Sequence, residues 1–200
     1  MKSTAVDLTT FFKAEFAEHN DVVRRTEAAL SDAFAKLVQA CAASISGGGK
    51  LMLFGNGGSA ADAQHLATEL TVRYKKDRAA IAALALTTDS SALTAAGNDL
   101  GFEKIFARQI EALGRKGDIA LGISTSGKSA NVIAGLKQAK AMGLVTAAFG
   151  GKDGGALPGH VDHLLLVPSA TTARIQEMHI LLGQMLCGAL EIELGLATAP

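Results

Sequence analysis

The chain has few of the residues that most often mark a disulfide scaffold or an aromatic binding surface. It contains no tryptophan, one tyrosine, three prolines and two cysteines in 200 residues. Cys41 and Cys187 lie in apolar segments without CxxC spacing, which indicates buried free thiols rather than a disulfide or a metal pair. No proline- and serine-rich linker interrupts the sequence, so we expect a single domain over residues 1–200.

The chain also lacks an excess of either charge. Its 19 lysines and arginines balance 19 aspartates and glutamates. A binder of nucleic acid or of a membrane surface needs a basic face, so we expect neither partner. No uninterrupted apolar run approaches the ~20 residues of a membrane span. The N-terminus does not resemble a signal peptide, and we therefore predict a cytoplasmic protein.

The charged fraction is low as well. Charged residues make up 19% of the chain and mean hydropathy is +0.26. A chain this apolar is expected to bury part of its surface in a partner, most simply in copies of itself.

Hydrophobic periodicity predicts two N-terminal helices followed by a parallel sheet. The helices are expected at 6–18 and 21–46, as a hairpin that ends at the glycines 47–49. Unbroken apolar runs then predict strands buried on both faces, separated by crossover helices, with a last helix from Thr172 to Leu194. The expected strands are Leu51–Phe54, Ile81–Leu86, Ile119–Ile123, Leu144–Phe149 and Leu164–Val167. The sequence thus predicts a doubly wound α/β fold with a five-stranded parallel sheet in the flavodoxin-like order 2-1-3-4-5.

Two unusual loops follow the first and third predicted strands, where ligands bind in such sheets. The second of them, residues 124–129, opens a helix with Ser124, Thr125, Ser126 and Ser129. Backbone N–H groups at a helix start and several hydroxyls suit a phosphomonoester. Ordinary helix capping also uses such residues, although one hydroxyl is enough for a cap.

The first loop, Gly55–Ser59, lets the backbone approach a ligand, but it lacks the GxGxxG spacing of dinucleotide sites. On the helix that follows, His65 and Glu69 have the i,i+4 spacing of two metal ligands or of a plain surface pair. The last helix holds Gln176, His179 and Gln184 in an apolar run. Such polar groups need partners, which either a functional cavity or helix packing between subunits supplies.

Four segments together resemble one known family. GNGGSAADAQHLATEL, LTAAGND, ISTSGKSANV and ARIQEMH occur in that order across essentially the whole chain. They closely resemble the sugar-isomerase (SIS) domain family, specifically the phosphoheptose isomerases. The resemblance implies a homotetramer whose active sites are shared between subunits, with residues 1–47 used in oligomerisation and residues 48–200 forming the α/β core and last helix. It also implies a zinc ion.

The resemblance further implies roles for individual residues. The residues implied to bind substrate are Asn56, Gly57, Gly58, Ser59, Asn98, Asp99 and Gln176, with Ser124, Thr125, Ser126 and Ser129 on the phosphate. The implied metal ligands are His65, Glu69 and Gln176, and Glu69 is also the base. At the fourth ligand position the family usually has a histidine, which also serves as an acid/base, whereas this chain has Gln184.

The implied reaction interconverts sedoheptulose 7-phosphate and D-glycero-D-manno-heptose 7-phosphate through an enediol, the first step toward ADP-heptose for surface polysaccharide. Glutamine cannot shuttle a proton near neutral pH, so Gln184 leaves the second proton-transfer role open to Asp62 or His179, or to Glu69 acting alone. Two alternatives remain open: a non-catalytic SIS-domain tetramer that binds a replication-initiator protein, and an isomerase of another sugar phosphate.

Overall fold

A computed structural model describes the chain from residue 7 to residue 198. In this part of the chain, long helices alternate with short strands after a long N-terminal helix. The helices are α1 (Leu8–Ser46), α2 (Gly58–Thr71), α3 (Ser90–Asp99), α4 (Ile105–Leu113), α5 (Ala130–Ala141) and α6 (Thr172–Glu193), and the strands are β1 (Leu51–Gly55), β2 (Ala83–Ala85), β3 (Ile119–Ser124), β4 (Val145–Gly151) and β5 (His163–Val167). Single turns of 3₁₀ helix occur at Phe102–Lys104 and Leu157–Gly159.

The five strands form one parallel sheet in the order β2-β1-β3-β4-β5, which confirms the predicted fold class and topology. Gly55 at the end of β1 lies opposite Ile123 near the end of β3. The loops that follow these two strands therefore start side by side at the carboxyl edge of the sheet.

Each face of the sheet is covered by helices. Leu51 and Leu53 of β1 pack into a core shared with α1, α2 and α6, whereas Met52 and Phe54 pack on the other side with residues of α3, α4 and α5. Alternate side chains of a strand point to opposite faces, so a strand in such a sheet must be apolar throughout. This is why the predicted strands appear as unbroken apolar runs.

The predicted N-terminal hairpin is wrong: α1 is a single helix of 39 residues. No glycine or proline occurs within it, and Asn20, at the predicted break, costs at most about 0.7 kcal/mol in a helix. A contact with α6 also favours a continuous helix here, because His19 Nδ1 lies 2.7 Å from Glu177 Oε2. The start of the predicted first helix at Val6 lies outside the described residues.

Within residues 7–198, α1 is the helix that passes a length and hydropathy test for a membrane span, with a most apolar window of mean hydropathy 1.2. Its buried residues, however, belong to the core: Val22, Leu30, Leu37, Val38 and Cys41 join the same cluster as the sheet. The apolar character of α1 is thus explained in part by packing against the α/β core.

Two smaller predictions can be compared directly. The second strand is shorter than the expected 81–86 and spans Ala83–Ala85, the three residues that pair with Leu51–Leu53 of β1. Cys41 and Cys187 are buried and free, as expected. Burial raises the pKa of both thiols to about 12, so neither is a reactive thiolate near neutral pH.

Candidate active site

The loops after β1 and β3 are tied together by a pair of side-chain amides. Asn56 Nδ2 donates to Asn131 Oδ1 at 2.8 Å, and Asn131 Nδ2 donates back to Asn56 Oδ1 at 2.8 Å. Asn131 is buried in the first turn of α5. Asn131 was not among the residues predicted from the sequence. Its position, two residues after Ser129 of the predicted phosphate loop, could have indicated it.

The loop after β3 presents several hydroxyl groups in a small space. Ser124 Oγ lies 3.2 Å from Ser129 Oγ and accepts a bond from the Gly127 N–H at 3.1 Å. Ser126 Oγ accepts from the Lys128 N–H at 3.2 Å, and Thr125 is half-buried beside them. A hydroxyl that accepts a backbone N–H keeps its own O–H free to donate. The loop can therefore offer several O–H donors to an anionic oxygen.

The shape of this loop depends on one glycine. Gly127 has φ +63°, and a Cβ placed there would overlap the Gly154 carbonyl oxygen. Its own carbonyl accepts from the Ala156 N–H at 3.0 Å. The segment after β4 thus packs directly on the hydroxyl loop and holds its conformation.

The loop after β1 turns into α2 at Gly57 and Gly58. Gly57 has φ +57°, and a Cβ on Gly58 would lie 2.5 Å from Gln176 Nε2. Gln176 on α6 therefore lies over the first turn of α2, as a shared ligand-binding region requires. Ser59 is buried against Gly55, and its role in binding substrate stays a prediction.

Further along α2, His65, Glu69 and Gln184 come together. His65 Nε2 lies 3.2 Å from Glu69 Oε1 and 3.4 Å from Gln184 Nε2. The His65 side chain is 47% exposed and that of Glu69 is 22% exposed. The structure thus brings three of the four predicted metal ligands to one point, while Gln176 lies toward the start of α2.

The spacing of His65 and Glu69 fits a metal ion. Two ligands about 2.1 Å from a tetrahedral ion lie roughly 3.4 Å apart, close to the 3.2 Å between His65 Nε2 and Glu69 Oε1. Gln184 presents its amide nitrogen to His65, so its side-chain amide would have to turn over to offer the oxygen to an ion. The donor chemistry is weaker than in most zinc sites, because an amide oxygen of Gln184 would stand where imidazole or thiolate is usual. No cluster of three or more histidine, cysteine or acidic side chains able to hold a metal occurs within residues 7–198.

The two candidates for the second acid/base lie in different surroundings. Asp62 is half-buried near the start of α2, and burial raises the pKa of its carboxyl while the nearby His65 lowers it. A raised pKa makes the protonated form of this carboxyl more populated at a given pH than it is in an ordinary aspartate.

His179 lies in the core instead. Its Nε2 is 3.0 Å from the Gly150 carbonyl oxygen, its ring centroid is 5.9 Å from that of Phe149, and it is fully buried. Burial lowers the pKa of His179 to about 4. His179 was a candidate acid/base because it is a polar residue in an apolar helix. In the structure its ring makes a buried hydrogen bond to β4.

The predicted substrate residues Asn98 and Asp99 are exposed at the end of α3. Asn98 Nδ2 donates to Asp99 Oδ1 at 2.7 Å. Neither residue hydrogen-bonds to the β1 or β3 loop among the described residues. A role for them in this site remains a prediction.

The fold and these loops define a class of protein. Residues 16–151 match the family model for the SIS domain, so this chain belongs to the SIS-domain proteins. Within that class it belongs to the phosphoheptose isomerase family. The "Phosphoheptose isomerase" of Paramagnetospirillum magneticum is 59% identical over 182 residues, covering 91% of this chain and 95% of that protein.

Solved structures of the same family share the fold. The phosphoheptose isomerase from Neisseria gonorrhoeae is 44% identical with a TM-score of 0.87, and the one from Francisella tularensis is 35% identical with a TM-score of 0.90. Each comparison covers 92% of this chain and 98% of the solved chain.

Proposed function

We propose that this chain interconverts sedoheptulose 7-phosphate and D-glycero-D-manno-heptose 7-phosphate. The observation that carries the proposal is the placing of the His65–Glu69 pair on α2, the helix that starts beside the hydroxyl loop after β3. A heptose 7-phosphate has its reacting carbons and its phosphate at opposite ends. Proton-transfer groups must therefore be separated from the phosphate-binding groups, and the His65–Glu69 pair lies about two to three turns along α2 from the end of the helix that starts beside the hydroxyl loop.

The proposed chemistry begins with proton removal next to a carbonyl. The Glu69 carboxylate takes the proton from carbon 1 of the ketose, the enediol forms, and the same proton returns to carbon 2. Glu69 Oε1 faces His65, so its other oxygen is the one available to the substrate. Asp62, with its raised pKa, is our candidate for moving the hydroxyl proton between the two oxygens.

We propose further that zinc is held by His65 and Glu69 with the amide oxygen of Gln184. Gln176, the other predicted ligand, lies over the first turn of α2 and would have to turn toward the ion to join them. When bound, the ion would polarise the substrate carbonyl. Because an amide is a weaker zinc ligand than imidazole, Gln184→His is expected to tighten zinc binding by tenfold or more. Zinc titration calorimetry on both proteins checks this, and equal affinities would remove Gln184 from the metal site.

We propose a homotetramer with shared sites, a cytoplasmic location and a place at the start of heptose supply for surface polysaccharide. Support for self-association comes from a groove of 380 Å³ between α1 and α6, lined by apolar side chains such as Leu181 and Met185. A cytoplasmic location suits a substrate whose phosphate charge keeps it from crossing membranes unaided.

The deciding experiment measures isomerisation of sedoheptulose 7-phosphate by the purified protein after EDTA treatment, with and without added zinc. Turnover that depends on added zinc supports both the proposed reaction and the proposed zinc site. Turnover at the same rate with and without zinc supports the reaction but not the zinc site. No turnover by a folded oligomer would contradict the reaction. A panel of shorter sugar phosphates would then test the other-sugar alternative, and binding of a replication initiator would test the non-catalytic one.

A further inference from the structure

The end of the helix that carries His65 and Glu69 is held by a single buried cation. The Arg78 guanidinium lies in the segment between α2 and β2, and its side chain is 1% exposed. Its NH2 group donates to the Glu69 carbonyl and its NH1 group to the Leu70 carbonyl, each at 2.7 Å. These are among the last carbonyls of α2, which have no partner within the helix. A cation is also favoured there by the helix dipole.

Arg78 is itself anchored to α6. Its Nε donates to Glu191 Oε1 at 2.9 Å, and the Glu191 side chain is 3% exposed. The same Glu191 oxygen accepts from the Tyr74 N–H at 3.1 Å. Arg78 and Glu191 thus link the final turn of α2 to α6 through a path of four side-chain hydrogen bonds, with Arg78 also bonded to the Ala79 carbonyl.

This link lies on the same helix pair as the candidate site. Glu191 follows Gln184 by two turns of α6, and Gln184 lies against His65 of α2. Between the two contacts the helices are in close packing, since a Cβ on Gly183 would overlap the Leu66 side chain. Fixing the last turn of α2 against α6 therefore fixes the position of Glu69 relative to Gln184.

A buried ion pair contributes little net stability, because desolvation of the two charges offsets their attraction. Capping by a neutral group would satisfy the same carbonyls. The arrangement is better explained by precision, since the rigid guanidinium fork sets three carbonyls, two of them in α2, and one carboxylate in a fixed geometry.

We infer that Arg78 is a positioning residue, which, together with Glu191, holds the Glu69 backbone so that its carboxylate keeps its place relative to Gln184 of α6. This inference rests on the proposed function for its catalytic consequence. The anchoring of α2 by Arg78 is independent of which substrate is used.

The test removes both charges at once, by Arg78→Met with Glu191→Gln. No buried charge is then left unpaired, and the glutamine introduced at position 191 keeps an acceptor for the Tyr74 N–H. We expect the fold to be kept with a lower melting temperature, because the Glu69 and Leu70 carbonyls lose the donors that Arg78 supplied. We expect kcat to fall roughly tenfold or more with KM within about threefold, because misplacement of a reacting group costs rate rather than affinity. Amides of the last turn of α2 should exchange with deuterium roughly tenfold faster.

The matched control is Lys50→Met with Asp118→Asn. It removes a partly buried ion pair at the amino edge of the sheet, where Lys50 Nζ lies 2.5 Å from Asp118 Oδ2. Wild-type kcat and wild-type exchange in α2 are expected for this control.

Two results would overturn the inference: unchanged exchange in the last turn of α2, or faster exchange there with wild-type kcat. If the double variant does not fold, Arg78→Lys replaces it, since one ammonium keeps the charge but cannot make all four bonds. Lower kcat with faster exchange is expected, and wild-type values for both would again overturn the inference. If the wild-type protein does not turn over heptose phosphate, the proposed function is wrong. The deuterium-exchange measurement still tests, in that case, whether Arg78 anchors the end of α2.

Discussion

At the scale of the residue, the proposed chemistry depends most on the Glu69 carboxylate. Its side chain is 22% exposed and faces His65 from the same helix, so it is reachable by a substrate and contributes little to the core. An i,i+4 pair at such exposure is worth less than about 1 kcal/mol. Its conservative replacement should therefore separate activity from stability.

We expect Glu69→Gln to lower kcat by roughly 10²- to 10⁴-fold, because an amide cannot take a proton from carbon. The melting temperature should remain near the wild-type value. Turnover of sedoheptulose 7-phosphate and thermal unfolding followed by circular dichroism measure the two quantities. The matched control is Glu111→Gln on α4, which loses the same charge from an exposed pair with Arg108 and should keep full activity. A Glu69→Gln protein with normal kcat would exclude Glu69 as the base.

His179 supports a prediction about pH and stability rather than about catalysis. Its folded-state pKa of about 4 is below the ordinary value of 6.5, because burial disfavours the charged ring. The unfolded chain thus binds an extra proton between these values. The contribution of His179 to stability is complete above pH 6.5 and is lost as pH falls toward 4, by about 3 kcal/mol in total.

Replacing His179 with glutamine should remove this pH dependence while leaving kcat within a few fold of wild type. Urea unfolding from pH 8 to pH 4 measures the first effect. At pH 8 the wild-type ring is neutral, so the difference in unfolding free energy between the two proteins there measures the loss of packing alone. A large fall in kcat without loss of stability would instead support His179 as an acid/base.

Residues close in sequence were easier to predict than residues brought together by the fold. The His65–Glu69 pair followed from helical spacing alone, whereas its contact with Gln184 was suggested by the family resemblance and depends on the packing of α2 against α6. Asn131 and Arg78 were missed because their partners, Asn56 and Glu191, are 75 and 113 residues away in sequence. Local periodicity carries no information on such pairs.

At the scale of the element, the sheet was predictable because its central strands β1 and β3 are buried on both faces and carry long apolar side chains or small residues throughout. The N-terminal hairpin was not, because a weak helix former such as Asn20 marks a helix end only when tertiary contacts allow the chain to turn. In this chain the contact of His19 with Glu177 favours a straight helix.

The hydroxyl loop makes a prediction at this scale through Gly127. Gly127→Ala should disrupt the loop for two reasons: a left-handed conformation costs an L-residue roughly 1–2 kcal/mol, and the new Cβ would overlap the Gly154 carbonyl oxygen. We expect a raised KM for the sugar phosphate, by roughly tenfold or more, together with a lower melting temperature.

Gly117→Ala separates these two causes. Gly117 has φ +92°, yet a Cβ there has no neighbour within 4 Å. This control carries the backbone strain without the clash and lies before β3, away from the loop. It should lower stability modestly and leave KM unchanged. A Gly127→Ala protein that behaves like the control would show that the loop does not bind the phosphate.

At the scale of the whole molecule, the described surface has apolar groups that a monomer would leave in water. Phe12 and Phe16 on α1 are 62% and 55% exposed, and Leu181 and Met185 on α6 are 39% and 46% exposed. The latter two line the groove between these helices. Apolar surface of this kind marks an interaction site in soluble proteins, and a second copy presenting the same helices is the simplest occupant.

We therefore expect Leu181→Glu to break the assembly, because each interface would have to bury an unpaired carboxylate. Light scattering should give the wild type four times the 20.5 kDa chain mass and the variant a smaller multiple. Leu113→Glu on α4, at a leucine with 46% exposure outside the groove, should leave the mass unchanged.

If the sites are shared between subunits, kcat must fall in proportion to the loss of tetramer, and it should recover at high protein concentration. A dissociated variant with full activity at every concentration would mean that one chain holds the complete site.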